Sequence, residues 1–134
     1  MRVVVQVVAL DFIENGPLLS TIEGMYSTRI AETLPQDYVI KVMFVLEPDV
    51  EDSDSGHHWS VRGITPDGNT WLTEDEVFGL PHLDPGLPYQ CVLIREIGFR
   101  ARRYGIYEFH LVWDGEDFGL ARLEIARCPD PTGQ

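Results

Sequence analysis

Residues 104–126, YGIYEFHLVWDGEDFGLARLEIA, constrain the chain more than any other stretch. Tyr107, Phe109, Leu111 and Trp113 alternate with Glu108 and His110; beyond Asp114-Gly115, Ala121, Leu123 and Ile125 alternate with Arg122 and Glu124. A period of two sends successive side chains to opposite faces of an extended backbone. Asp-Gly between two such runs supplies residues that tolerate the positive φ of a tight hairpin. The stretch predicts two antiparallel strands with a shared apolar face, and with them an all-β domain.

The rest of the chain repeats that pattern. Val3 to Phe12 reads as a first strand, apolar on both faces, and so covered on both sides or joined to an oligomer interface. Asn15-Gly16-Pro17 marks a turn, Pro17 to Tyr26 a returning strand, and Gly24 within it a bulge or a close backbone approach. Arg29-Ile30-Ala31-Glu32 fits one helical turn before Pro35. Asp37 to Leu46 is a strand with Tyr38, Ile40, Val42, Phe44 and Leu46 on its apolar face. Pro48 to Gly56 has the composition of an exposed loop. His57 to Ile64 is a strand with Trp59 and Val61 on one side and His58, Ser60 and Arg62 on the other. Pro66-Asp67-Gly68-Asn69 turns the chain into a short strand around Trp71. Residues 74–88 read as a long connection, and Tyr89 to Ile97 as a further strand. Seven or eight strands at short, regular spacing predict an immunoglobulin-like antiparallel β-sandwich. Gly105-Ile106-Tyr107 matches the tyrosine corner of such sandwiches, in which the hydroxyl bonds back to the corner's own backbone.

A chain of 134 residues is expected to form one domain, here 1–127 with a loose tail over 128–134. It buries roughly two thirds of its unfolded surface without disulfide staples. MRVVVQVVAL is broken by Gln6 and followed by Asp11, so it reads as a strand and not as a secretion signal. A cytoplasmic location is therefore expected. Cys91 and Cys128 suit reduced thiols, although a bridge between them stays open. The formal net charge of -12 is uneven: residues 49–88 hold nine acidic groups against one basic. So acidic a middle section argues against nucleic acid and against an anionic membrane as partners.

The opening strand ending Ala9-Leu10-Asp11-Phe12, the Pro66-Asp67-Gly68 turn and the closing hairpin from Gly105-Ile106-Tyr107 to Asp114-Gly115 together resemble a bacterial family of small single-domain β-sandwich proteins of unassigned function. The resemblance implies a small intracellular sandwich and brings no catalytic residues.

Asp49, Glu51, Asp52 and Asp54 form the densest carboxylate cluster, the donor type that calcium favours, but their spacing does not fit an EF-hand loop and a solvated acidic loop explains them. His57 or His58 with Asp54, His82 or His110 are candidate ligands for a transition metal, although neighbours on a strand point opposite ways. Glu108 and Glu124 fall on the outward face of the final hairpin, where pairing with Arg122 or Lys41 accounts for them more simply than acid–base chemistry. No nucleophile elbow, reactive cysteine setting or phosphate loop is present, so neither catalysis nor a cofactor is expected. Arg95, Arg100, Arg102 and Arg103, flanked by Phe99, Tyr104 and Tyr107, are either a polar corner neutralising Glu96 and Glu108 or a docking site for an acidic partner, including the 49–56 loop of a second copy. The expectation from sequence is a non-catalytic protein-interaction or assembly module. A small-ligand or carbohydrate binder stacking sugars on Trp59, Trp71 or Tyr89 is the alternative, and a hydrolase the third reading.

Overall fold

The computed structural model describes residues 1–9, 11–15, 18–23, 28–87 and 89–128. Its strands run β1 (Arg2–Ala9), β2 (Asp11–Asn15), β3 (Leu18–Glu23), β4 (Thr28–Ala31), β5 (Gln36–Glu47), β6 (Ser55–Ile64), β7 (Thr70–Leu72), β8 (Glu76–Leu80), β9 (Cys91–Ala101), β10 (Gly105–Trp113) and β11 (Glu116–Arg127). Two sheets carry the core. One is ordered β1-β5-β9; the other is β4-β11-β10-β6-β7, with β8 also paired to β6. β2 and β3 form a separate ribbon. Among the described residues the only helix is a 3-10 turn, Val50–Asp52.

The alternating apolar rows decide which faces meet. Tyr38, Ile40, Val42, Phe44 and Leu46 of β5 pack toward Tyr107, Phe109, Leu111 and Trp113 of β10 and Ala121, Leu123 and Ile125 of β11, all buried in one cluster. β10 and β11 are paired in the predicted hairpin, with Asp114 and Gly115 both at positive φ. That is the backbone shape a two-residue turn needs to match strand twist. β6 adds Trp59 and Val61 to the same interior. At the other end of β10, Gly105 has φ +133 and a Cβ there would lie 2.9 Å from Pro66. Only glycine allows the 66–69 turn to seat so closely against this corner.

The all-β sandwich holds, but the count rises from seven or eight strands to eleven among the described residues, and the additions are short. The stretch 29–32 is not a helical turn: β4 runs parallel to β11, Arg29 opposite Ile125 and Ala31 opposite Arg127. Pairing there occupies the open edge of β11, whereas one turn of helix would leave that edge bare. It also makes one pairing of the sandwich parallel. β8 lies inside the stretch taken as a long connection and pairs with the first half of β6, Trp59 opposite Glu76. The predicted opening strand is two strands in different sheets: β1 pairs with β5, and β2 pairs with β3. Gly24 and the tail 129–134 lie outside the described residues.

Both faces of β1 are used. Val8 joins the main core, while Ala9 and Met43 are buried in a second cluster with Val7, Val45 and Ile94 on the other side of the sheet.

Candidate functional site: the arginine end of the sandwich

The corner between β9 and β10 is assembled by neutral groups. The Tyr107 ring is 1% exposed and its hydroxyl donates to the Arg103 carbonyl at 2.7 Å, as the tyrosine-corner pattern predicts. The Tyr104 hydroxyl donates to the Ala31 carbonyl at 3.1 Å, fastening the corner to the end of β4. Beneath it, Phe99 sits 5.2 Å from Tyr107, 5.6 Å from Tyr38 and 5.7 Å from Phe109, centroid to centroid. Of the three aromatics expected to flank the arginines, Tyr104 lines one surface recess and Tyr107 borders another beside Arg100, Arg102 and Arg103, while Phe99 is structural.

The four arginines separate. Arg95 lies on the inward row of β9 between Leu93 and Ile97, its side chain 15% exposed, 3.0 Å from Glu76 and over the Trp59 ring at 5.8 Å. It ties the two sheets together and is no part of the corner. Arg100 faces Asp37 at 3.7 Å and Arg103 faces Asp67 at 3.3 Å. Arg102 is exposed and makes no ion pair among the described residues. Arg127, which sequence reasoning missed, lies across from it and covers the Tyr104 ring at 5.4 Å. The two guanidiniums line one open notch with Glu32, Thr33, Leu34, Arg103 and Tyr104. The signal for Arg127 was the alternation itself: it is the next position in the row Ala121, Leu123, Ile125, just where that row leaves the core.

The acidic candidates lie at the opposite end, and they do not converge. Asp49 meets the Met1 ammonium, the Asp52 carboxylate accepts the Asp49 amide at 2.9 Å, and Asp54 receives His82 at 2.8 Å. No three metal-ligating side chains share a site among the described residues. The histidines are equally dispersed: His82 is with Asp54 and Asp84, and His110 lies between Asp117 at 2.6 Å and Glu108 at 3.1 Å. The Glu108–Arg122 pair across the hairpin is present at 3.7 Å.

His57 is the surprise of this end. It is 7% exposed, stacks on Trp113 with ring centroids 4.8 Å apart, and has Nδ1 2.6 Å from the Asp114 carboxylate and Nε2 2.7 Å from the Asp52 carbonyl. Burial pulls its pKa down, but the Asp114 carboxylate and the Asp52 carbonyl outweigh that and hold it above the ordinary histidine value. Burial pushes Asp114 up, yet the bonds from His57 and from the His58 amide keep its carboxyl below the usual range. The sequence did place His57 on the same face as Trp59, so its burial was legible although its partners were not.

Of the three aromatics expected to stack sugars, Trp59 is buried, Trp71 is half-buried and packs edge-on to Phe109 over Gly63, and Tyr89 is exposed. Both cysteines are free, and burial pushes the Cys91 thiol up to about 11. Among the described residues no helix is long and apolar enough to cross a membrane.

No protein-family model matches the chain, and no curated protein matches it. A solved structure does: Pseudomonas fluorescens alkylpurine DNA glycosylase AlkC bound to DNA containing an abasic site analog, at TM-score 0.52 and 15% identity, over 75% of this chain and 27% of that one. The likeness is one of fold, and this chain corresponds to about a quarter of that enzyme's length. It corrects two expectations, the protein-interaction or assembly module and the exclusion of nucleic acid, since the matching fold occurs in a DNA-bound protein. The exclusion failed for a physical reason. It used the charge of a sequence segment, whereas the fold carries most of that acid, the 49–54 loop with Glu76 and Asp84, to the far end of β10, roughly 26 Å from the corner, and leaves Asp67 at the corner against Arg103. Screening at physiological salt acts over about 8 Å.

Proposed function

We propose that the domain is a nucleic-acid-contacting β-sandwich module that sets its arginine end against a phosphate backbone. The observation that carries this reading is the pair of guanidiniums with no carboxylate partner among the described residues, Arg102 and Arg127, beside Arg100 and Arg103, which face Asp37 and Asp67. The fold likeness to a DNA-bound glycosylase supports it. Arginine forks suit phosphate oxygens, and such contacts are independent of sequence. The proposed role is contact with the backbone.

Anisotropy of labelled single-stranded and duplex oligonucleotides tests it. Binding is expected with a Kd of about 10⁻⁴ to 10⁻⁶ M, the range of sequence-independent contact, and weakening steeply between about 50 and 200 mM salt. Reversing Arg100, Arg102 and Arg103 to Glu is expected to abolish it, while Asp52→Asn and Asp54→Asn at the far end change it little. No binding of either oligonucleotide at the lower salt concentration overturns the reading.

A further inference from the structure

We propose that the notch formed by residues 32–34, the 102–104 corner and the end of β11 is a seat for one phosphate group, gripped from two sides by Arg102 and Arg127. This rests on the nucleic-acid reading and narrows it from an end of the molecule to a site.

Three features set the notch apart from the rest of the arginine end. Its floor is fixed: Tyr104 is held by its hydroxyl bond to Ala31, and the corner by the Tyr107 bond to Arg103. Two of its three arginines are uncommitted: Arg103 faces Asp67, whereas Arg102 and Arg127 have no carboxylate partner among the described residues. And Arg127 is already positioned, since the guanidinium lies over the Tyr104 ring. A guanidinium stacked on an aromatic face keeps its in-plane N–H donors pointing outward, where oxygens can reach them. Less side-chain freedom is then lost on binding than with a mobile cation. Glu32, on the rim, opposes an anion. Its neutralisation tightens the grip.

Two measurements separate the site from the broader reading. In the first, inorganic phosphate is titrated into the isotope-labelled protein. Amide shifts are expected at Thr33, Arg102 and Tyr104, and lost in Arg102→Gln/Arg127→Gln. In the second, oligonucleotide affinity is followed against salt. One phosphate contributes about -0.9 to the slope of log K on log salt for duplex DNA. Replacing both arginines by Gln is therefore expected to reduce the slope by about one, the effect of a single lost contact. Glu32→Gln is expected to bind several-fold more tightly. A reduction near two means that the arginines serve separate phosphates, which overturns the shared seat. An unchanged slope with oligonucleotide still bound overturns the notch and leaves the module reading standing. Phosphate shifts at the notch with no oligonucleotide bound support the seat and overturn the nucleic-acid reading.

Discussion

The two ends of the sandwich handle charge in opposite ways. At the Asp114 end, charged groups make the structure: His57 links the 49–56 loop to the β10–β11 turn through Asp52 and Asp114, and His82 and His110 each sit between two acidic side chains. At the Tyr107 end, neutral groups make it. Two tyrosine hydroxyls bond to backbone carbonyls over a stack of rings, so the guanidiniums above are not needed to hold the fold. An ionised side chain already satisfied by a partner has little left for a ligand. The difference therefore predicts which end binds: the one whose architecture leaves its charges unspent.

The comparison is broken most directly at Phe99. Its ring meets Tyr38, Trp71, Tyr107 and Phe109, so Phe99→Ala removes the common element of the aromatic stack. Phe99 is half-buried against the core, so the expected cost is about 2–3 kcal/mol in urea unfolding, at or below the lower end of the range for a fully buried Phe→Ala. Amide shift changes are expected at 36–38, 64–71 and 101–107, with residues 52–58 and 113–117 little moved. A loss under about 1 kcal/mol would mean that something other than this stack supports the arginine end.

How much of this could be read beforehand divides along the same line. Rows such as Tyr38-Ile40-Val42-Phe44-Leu46 and Tyr107-Phe109-Leu111-Trp113 announce their buried face by parity, and the Asp-Gly turn fixes their local partner. The tyrosine corner was legible because donor and acceptor lie four residues apart. Arg127 beside Arg102, His57 beside Asp114, and Arg95 across from Glu76 were not. Each depends on which strands adjoin, and Thr28–Ala31, the piece that brings Ala31 to Tyr104, is too short to signal its own pairing. Net charge misled for the same reason: a segment sum carries no position.

The His57 link sharpens the comparison through pH. Its folded pKa lies above the unfolded value, so its contribution is complete below about 6.5 and disappears as pH rises through the raised folded value. Asp114 has the opposite sign, stabilising above its ordinary carboxylate pKa and losing that as pH falls through the lowered folded value. Between those limits the charged link is worth about 2 kcal/mol, as for hydrogen bonds to ionised groups. His57→Gln, neutral throughout, is expected to lose that amount near pH 6 and to flatten the decline above it. Trp113 fluorescence should follow the change, since the imidazole stacks on its ring. A variant that keeps the wild-type pH slope would place the titration elsewhere.

Tyr107→Phe asks the smallest question, and it goes to the heart of the contrast. It deletes one oxygen, leaves every charge in place, and removes the bond to the Arg103 carbonyl together with the longer one from the Arg103 amide at 3.4 Å. The expected cost in stability is about 1 kcal/mol, the typical worth of a neutral hydrogen bond. If neutral bonds fix the corner, oligonucleotide affinity should fall with it although no cation has been touched, and the salt slope should stay where it was, because the number of phosphates met is unchanged. A lower affinity at constant slope is a signature that loss of charge cannot produce. An affinity equal to wild type would show instead that Arg102 and Arg127 find phosphate without a fixed corner, and the neutral scaffold would then matter for folding alone.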